Sequence, residues 1–229
     1  TDWFRESYQA ISPQNRQSLT LSGGSDNIQY YIGGEYLDQE SHYGVGEFGS
    51  KRYNIRSNID ATISKILKLG ADVSFRLIDQ LSPSSSGGVD NRVGRSLPID
   101  AAYWPNGLPA YGGELGNNPA LMGTKLGGYN DQENFDFRSK FSFDLNLDFL
   151  TDGLSLDGYF SYDRTNSKSK NLRLPFIVYQ YAKGEFIEAF GHGGSSNKPL
   201  TEGRNDSNSK LSHIKVKYMN SFGDHYINA

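Results

Sequence analysis

The sequence predicts an all-β fold: an antiparallel transmembrane β-barrel present in part, about 7–8 strands of a larger barrel. Three observations carry this. Apolar and polar residues alternate with period two over segments much longer than ordinary strands. Every second connection between those segments is tight, and the ones between are long. The chain of 229 residues holds 15 Tyr, 13 Phe and 26 Gly while only 36% of it is hydrophobic. That combination suits strands joined by turns, and it differs from disordered chains, which are poor in aromatics.

In chain order, Gln17 to Gly23 sets Leu19 and Leu21 against Ser18, Thr20 and Ser22. Ile28 to Tyr36 places Ile28, Tyr30, Ile32 and Tyr36 on one face. Lys51 to Ser64 alternates Tyr53, Ile55, Ile59, Ala61 and Ile63 with Arg52, Asn54, Arg56, Asn58, Asp60 and Thr62. Leu67 to Leu77 sets six apolar residues against Lys68, Asp72, Ser74 and Arg76. Asn134 to Phe149 is the longest: seven of its eight odd positions are apolar and every even one is polar. Leu154 to Tyr162 and Asn208 to Phe222 repeat the pattern, and a last strand begins near His225. Successive side chains of a strand point to opposite faces, so each segment is oily on one side and ionic on the other. Only Thr1–Ser12 and Gly94–Trp104 leave room for a short helical turn.

The tight connections are GGSDN (23–27), KI (65–66), TDG (151–153) and GD (223–224). The long ones cover about 41–50, 81–131 and 165–205. Loops of that length are unusual in a compact soluble domain, whereas short turns on one rim and long loops on the other are the layout of an outer-membrane barrel. On this reading the oily face meets lipid and the ionic face a wet lumen. A tilted membrane strand needs about 9–11 residues. The sixteen-residue segment reaches about 53 Å, so it should protrude. Tyr53, Phe135, Phe149, Tyr162 and Phe222 stand near strand ends, as girdle aromatics do. A soluble β-sandwich or β-solenoid would use the same alternation with the oily face as core.

Net charge −3 shows no nucleic-acid footprint, and the absence of cysteine removes disulfides and thiolate metal sites. GVGEFG (44–49) has the G-x-G-x-x-G spacing but leads into a strand-like segment, so it reads as a hairpin loop. DLNLD (144–148) resembles the start of a calcium loop, yet Phe149 stands where that loop needs Gly. His42, His192, His213 and His225 form no zinc-binding pair. GHGGSS (191–196) has no accompanying nucleophile elbow. No cofactor, metal site or catalytic set is expected. Tyr103, Trp104 and Tyr111 lie in the longest loop, where they either contact a substrate or a lid, or pack the loop on itself. Arg52, Arg56, Asp60, Asp72, Arg76, Asp136, Arg138 and Asp144 lie on polar faces and are expected to face the lumen or a plug.

Several motifs resemble one family. TDWF, then QNRQSLTLSGGSDNIQYYIGGEYLDQES, is similar to the start of the barrel in SusC/RagA-type TonB-dependent outer-membrane transporters. Glu35 and Ser41 stand where the family usually has Gly. RYNIRSNIDATISKILKLGADVSF (52–75) resembles a second family stretch, and LPIDAAYWPNGLPAYGG (97–113) resembles its Pro-rich loop with altered wording at Trp104–Gly107. The resemblance is strongest over residues 1–80 and weak from 165 to 205. It implies a barrel of about 22 strands, a plug, a TonB box and a SusD-like lipoprotein lid. It also implies uptake of an oligosaccharide or peptide across the bacterial outer membrane, and tight turns facing the periplasm. The chain opens without Met or a signal-peptide pattern and reads as a fragment, the N-terminal part of such a barrel over 1–229, with outer loops at about 81–131 and 165–205. The contrasting reading is a soluble or surface-attached β-rich binding or adhesion protein. A barrel enzyme would need an acid/base or nucleophile set on one rim.

Overall fold

The computed structural model describes residues 1–44, 47–113, 116–191, 199–223 and 225–228, with the Phe222 side chain outside that description. A short helix α1 (Trp3–Ser7) precedes strands β1 (Gln14–Gly24), β2 (Ile28–Glu40), β3 (Gly49–Thr62) and β4 (Leu67–Pro83). Helices α2 (Ser86–Arg95) and α3 (Pro119–Met122) and a 3₁₀ turn (Lys125–Gly127) lead to β5 (Gly128–Asn146) and β6 (Leu154–Arg173). A hairpin of β7 (Ile177–Ala182) and β8 (Glu185–Phe190) is followed by β9 (Leu200–Phe222) and β10 (His225–Asn228). Eight strands form one antiparallel sheet in the order β1-β2-β3-β4-β5-β6-β9-β10. Its edges at β1 and β10 are unpaired among the described residues, so the sheet is an open stretch of barrel wall.

Register explains the two faces. Ile59, Ala71, Phe141 and Phe160 are direct cross-strand partners, as are Ala61, Leu69, Phe143 and Gly158. The apolar sets of neighbouring strands therefore merge into one band. Among the described residues no protein layer covers it: Phe141 is 52% exposed and Ile214 68%. In water such a band is an aggregation surface, and in a bilayer it is the required boundary.

The loop-side edge of the band can be traced strand by strand. The first charged residues on the apolar face are Asp38, Lys51, Asp79 and Glu133, which are direct register partners on β2 to β5. On β6 and β9 they are Arg164 and Lys210, whose rows fall at Phe137 and Ser139 of β5. The edge is level over β2 to β5 and drops about six residues across β6 and β9. The strands of outer-membrane barrels tilt by about 40°. On β5 the band runs from Leu145 to Phe135, about 33 Å along the strand and about 25 Å in height at that tilt, the thickness of an outer-membrane apolar belt. Rings line the edge, with Tyr36 against Tyr53 at 5.1 Å, Phe75 against Phe135 at 5.2 Å and Phe137 against Tyr162 at 6.3 Å. Of the five expected girdle aromatics, Tyr53, Phe135 and Tyr162 lie here. Phe149 instead occupies the turn on the opposite rim, and the side chain of Phe222 lies outside the described residues.

The strands outrun the sequence pattern. β4 continues to Pro83, β5 starts at Gly128, β6 reaches Arg173 and β9 starts at Leu200. The connections expected over about 81–131 and 165–205 therefore shrink to 84–127 and 174–199. Beyond the band both faces are polar, so pairing persists where the apolar alternation that marks a strand has ended. Lys168–Glu133 (2.7 Å) and Lys170–Glu202 (3.9 Å) bridge this upper wall. The helical turn expected over Gly94–Trp104 is replaced by α2, in which Val89 and Val93, spaced i,i+4, are buried together despite three glycines. At the opposite rim β5 stops at Asn146, and Asp148 closes the 147–153 turn by accepting from the Gly153 amide at 2.8 Å. Gly153 has φ +82°, and a side chain there would strike the Met219 carbonyl.

The buried core sits at the loop end of the sheet. It joins Trp3 of α1, Tyr43 and Phe48 of the β2–β3 connection, Val89 and Leu121 of the β4–β5 connection, and Val178 of β7. Leu81 and Tyr129 reach it from the apolar face, and Asn171 of the ionic face donates to the Ser84 carbonyl at 2.9 Å. The connections thus pack into one cap over the end of the wall.

Candidate functional site

Two surfaces hold the residues singled out from the sequence: the ionic face of the sheet and the loop cap. All eight charged residues singled out on β3, β4 and β5 occupy the ionic face, because the registers keep their parity from strand to strand. Asp136 accepts from Arg76 Nε at 3.0 Å and from Thr165 Oγ1 at 2.9 Å, with Arg138 two residues along the same strand. Asn58 donates to Asp72 and accepts from Arg56 Nε at 3.0 Å. Arg52 sits between Leu37 and Ile78. Asp60 and Asp144 lie nearer the tight-turn rim and line a groove of about 470 Å³ with Lys68, Asp157 and Lys217. Residues that sequence reasoning left out complete this face: Arg16 paired with Glu35, Lys217 paired with Asp157, and Lys140 over the Tyr159 ring at 5.0 Å. Their own even or odd alternation carried the signal.

In the cap, Trp104 is part of the packing between the two long connections. Its indole donates to the Tyr179 carbonyl at 2.8 Å, and its ring meets Phe186 at 5.8 Å and Tyr181 at 6.3 Å. Tyr111 packs against the buried core, while Tyr103 is 43% exposed. Burial, followed by the nearby Glu6 carboxylate, pushes the Tyr103 phenol up from its ordinary range. The three aromatics therefore do not form one platform.

The cap is held by two polar hubs. Asn118, with no exposed surface, donates to the carbonyls of Ala102 (2.8 Å) and Ala110 (3.1 Å) and caps α3 through the Ala120 amide (3.1 Å). Asp90 accepts from the hydroxyls of Tyr8 (2.6 Å) and Tyr43 (2.8 Å). Burial first, then these bonds to Asp90, drive both phenols well above the ordinary tyrosine range.

The β7–β8 hairpin was not expected from the sequence. Its turn is Lys183–Gly184, with φ +54° and +89°, the backbone of the tight turn that favours hairpins. The two-residue Lys-Gly between IVYQYA and EFIEAF was the available signal. GVGEFG leads into β3 and no helix follows it; its Val45 and Gly46 lie outside the described residues, as do His192 and most of GHGGSS. Among the described residues no group of three or more His, Cys, Asp or Glu is arranged to hold a metal.

This geometry defines a class: a transmembrane β-barrel wall with an uncovered apolar band, an ionic face opposite it and folded loops. No family model matches the chain. Two curated relatives match 98% of it: TonB-dependent receptor P3 of Formosa agariphila at 29% identity and TonB-dependent receptor P26 of the same organism at 26%. The chain spans about a fifth of their length, 21% in each case. Among solved structures, the RagAB peptide transporter superposes over 97% of the chain and 24% of its own, with a TM-score of 0.62 at 18% identity. The RagAB importer in its open-open state gives 0.61 at 19%, over 97% of this chain and 24% of its own. The chain is similar along nearly its whole length to these TonB-dependent receptors, and it has the fold of part of an outer-membrane barrel wall, as in the RagAB transporter.

Proposed function

We propose that this wall serves TonB-dependent import of a nutrient such as an oligosaccharide or a peptide, and that the chain itself carries no catalysis. The carrying observation is an uncovered apolar band backed by a continuous ionic face, in a sequence that aligns along nearly its whole length with TonB-dependent receptors. In this reading the ionic face, with Arg52, Arg56, Asp60, Asp72, Arg76, Asp136, Arg138 and Asp144, lines the lumen and meets a plug. The cap faces outside, as loops over about 81–131 and 165–205, and contacts substrate or a SusD-like lipoprotein through Tyr103, Trp104 or Tyr111. The name RagAB denotes a peptide transporter, which supports a peptide as one of the two candidate ligands. Energy comes from the TonB complex.

The test is uptake of labelled oligosaccharides and peptides by cells expressing the full-length protein, with and without a protonophore. Uptake of one ligand class should be abolished when the proton gradient collapses. Uptake that persists after collapse would refute energy-coupled import.

A further inference from the structure

The charges of the upper wall are segregated by face. One row of the ionic face joins Arg76, Asp136, Thr165 and Ser207. The next three rows above it on that face, across β4, β5, β6 and β9, hold no charged residue. Apart from Ile78 and Gly203 they carry only amides and hydroxyls. The opposite face of the same stretch is the reverse. Its first row reads Asp79, Glu133, Lys168 and Arg204, and its second is charged everywhere but at Leu81. These strands therefore use charges where they meet water on one side and avoid them on the other. Contact with water alone does not account for that difference.

The first two uncharged rows enclose a hollow of about 380 Å³, within the size range of small-molecule sites. Gln132, Asn134, Ser167, Ser169 and Asn205 rim it and Gly203 floors it, together with Lys168 and Arg204, whose side chains leave from the opposite face. A Cβ at Gly203 would come within 2.7 Å of Ser169 Oγ, so the missing side chain opens the hollow. Glycine inside a strand weakens it, and it often marks a place where a ligand or another backbone comes close. The five rim side chains make no hydrogen bond among the described residues, which leaves their donors and acceptors free. Just above, Asn171 ties this wall to the cap through the Ser84 carbonyl. Just below, the ion pairs begin with Arg76 and Asp136. The hollow thus lies between the cap and the charged part of the face.

We propose that this hollow binds an uncharged, hydroxyl-rich ligand, a segment of a neutral oligosaccharide passing from the cap into the lumen. An amide or a hydroxyl offers both a donor and an acceptor, which matches a sugar hydroxyl, whereas a carboxylate only accepts and an ammonium only donates. A uronate, a sulfate or a peptide terminus would shed its water here against a wall without a counter-charge. Neutral contacts of this kind also exchange readily with water, which suits a ligand in transit. The site rests on the reading that the ionic face lines the lumen of an importer, and within that reading it selects the oligosaccharide over the peptide.

The test titrates the full-length protein in detergent, by calorimetry, with hexasaccharides of glucose, mannose, galactose and xylose, with a galacturonate hexasaccharide and with hexapeptides bearing free termini. A neutral sugar should bind most tightly, and its affinity should change by less than about twofold between low and high salt. Asn134→Leu keeps the bulk of the side chain and removes its donor and acceptor, which should weaken that sugar roughly fivefold. Gly203→Leu fills the hollow and should weaken it by more than about tenfold. Asn134→Leu leaves the backbone and Ser169 undisturbed, so it remains informative even if Gly203→Leu impairs assembly. Glu202→Gln, beside Gly203 but on the opposite face, should bind as the parent does. Tightest binding of the galacturonate or of a peptide, no binding of any neutral sugar, or parent-like binding by Asn134→Leu would overturn the proposal. Uptake by cells is measured in parallel. A peptide taken up only while the proton gradient stands rejects this site and keeps the import reading. The bound neutral sugar taken up after the gradient collapses rejects the import reading and keeps the site.

Discussion

Phe141 tests whether the band meets lipid. It lies on β5 four residues above Leu145 and six below Phe135, with Ala71 and Phe160 beside it in register. At the strand tilt that is about 10 Å from one edge of the band and about 15 Å from the other, close to the midplane. Arginine on the lipid face costs about 2–4 kcal/mol at that depth and much less near the edges. Phe141→Arg should therefore fall in the upper half of that range, shifting the folding equilibrium by two to three orders of magnitude. Ser142→Arg points to the ionic face between Gly70 and Tyr159, with Asp144 and Asp157 in the same groove, and should change stability little. Urea titration of the full-length protein in phospholipid vesicles reads both. A sandwich core would also reject arginine at 141, so a nitroxide at each position completes the assay. Position 141 should relax with oxygen, which partitions into lipid, and position 142 with a water-soluble metal chelate. A label at 141 shielded from both reagents would place that side chain in a protein core and refute the membrane reading.

Other outcomes concern the cap. Asn118→Ala leaves the Ala110 carbonyl without its partner and uncaps α3, which should destabilise the cap by roughly 2–4 kcal/mol; hydrogen exchange should rise over 84–127 while the sheet stays protected. Trp104→Ala removes the bond to the Tyr179 carbonyl and two ring contacts, so limited proteolysis should open the Lys183–Gly184 hairpin first. Uptake unchanged by it would remove Trp104 from ligand binding. Tyr8 and Tyr43 resist ionisation in the folded cap, whereas in the unfolded chain they ionise near about pH 10. Their contribution is intact below that pH and lost as pH rises above it, so phenolate absorbance should appear late and together with cap opening. Tyr8→Phe and Tyr43→Phe should remove that late step. Residues 1–229 expressed without detergent should aggregate, and a sharp monomer peak on size exclusion would contradict the uncovered band.

How much was legible follows from where water is excluded. The membrane-depth strands were readable because lipid on one face and a polar interior on the other force strict alternation, as in Phe135 to Leu145. The charged face was readable for the same reason, and Asp136 and Arg76 could be assigned to it from parity alone. The upper wall was not readable, since Arg164 to Arg173 and Leu200 to Lys210 have water on the outer face as well as the inner one, and nothing there imposes an apolar period. Helix α2 and the β7–β8 hairpin were hidden for a different reason. Gly-rich SGGVDNRVGR forms a helix only because Val89 and Val93 find a core built from connections far apart in the chain.

The sequence by itself determined the fold class, the two faces of the wall and which rim carries the long connections, because a period-two pattern records the solvent on each side. Only the tertiary structure decided that those connections fold into one cap and that Trp104 and Tyr111 are used in its packing. Those features depend on register and on contacts between distant segments, and local pattern holds no record of them.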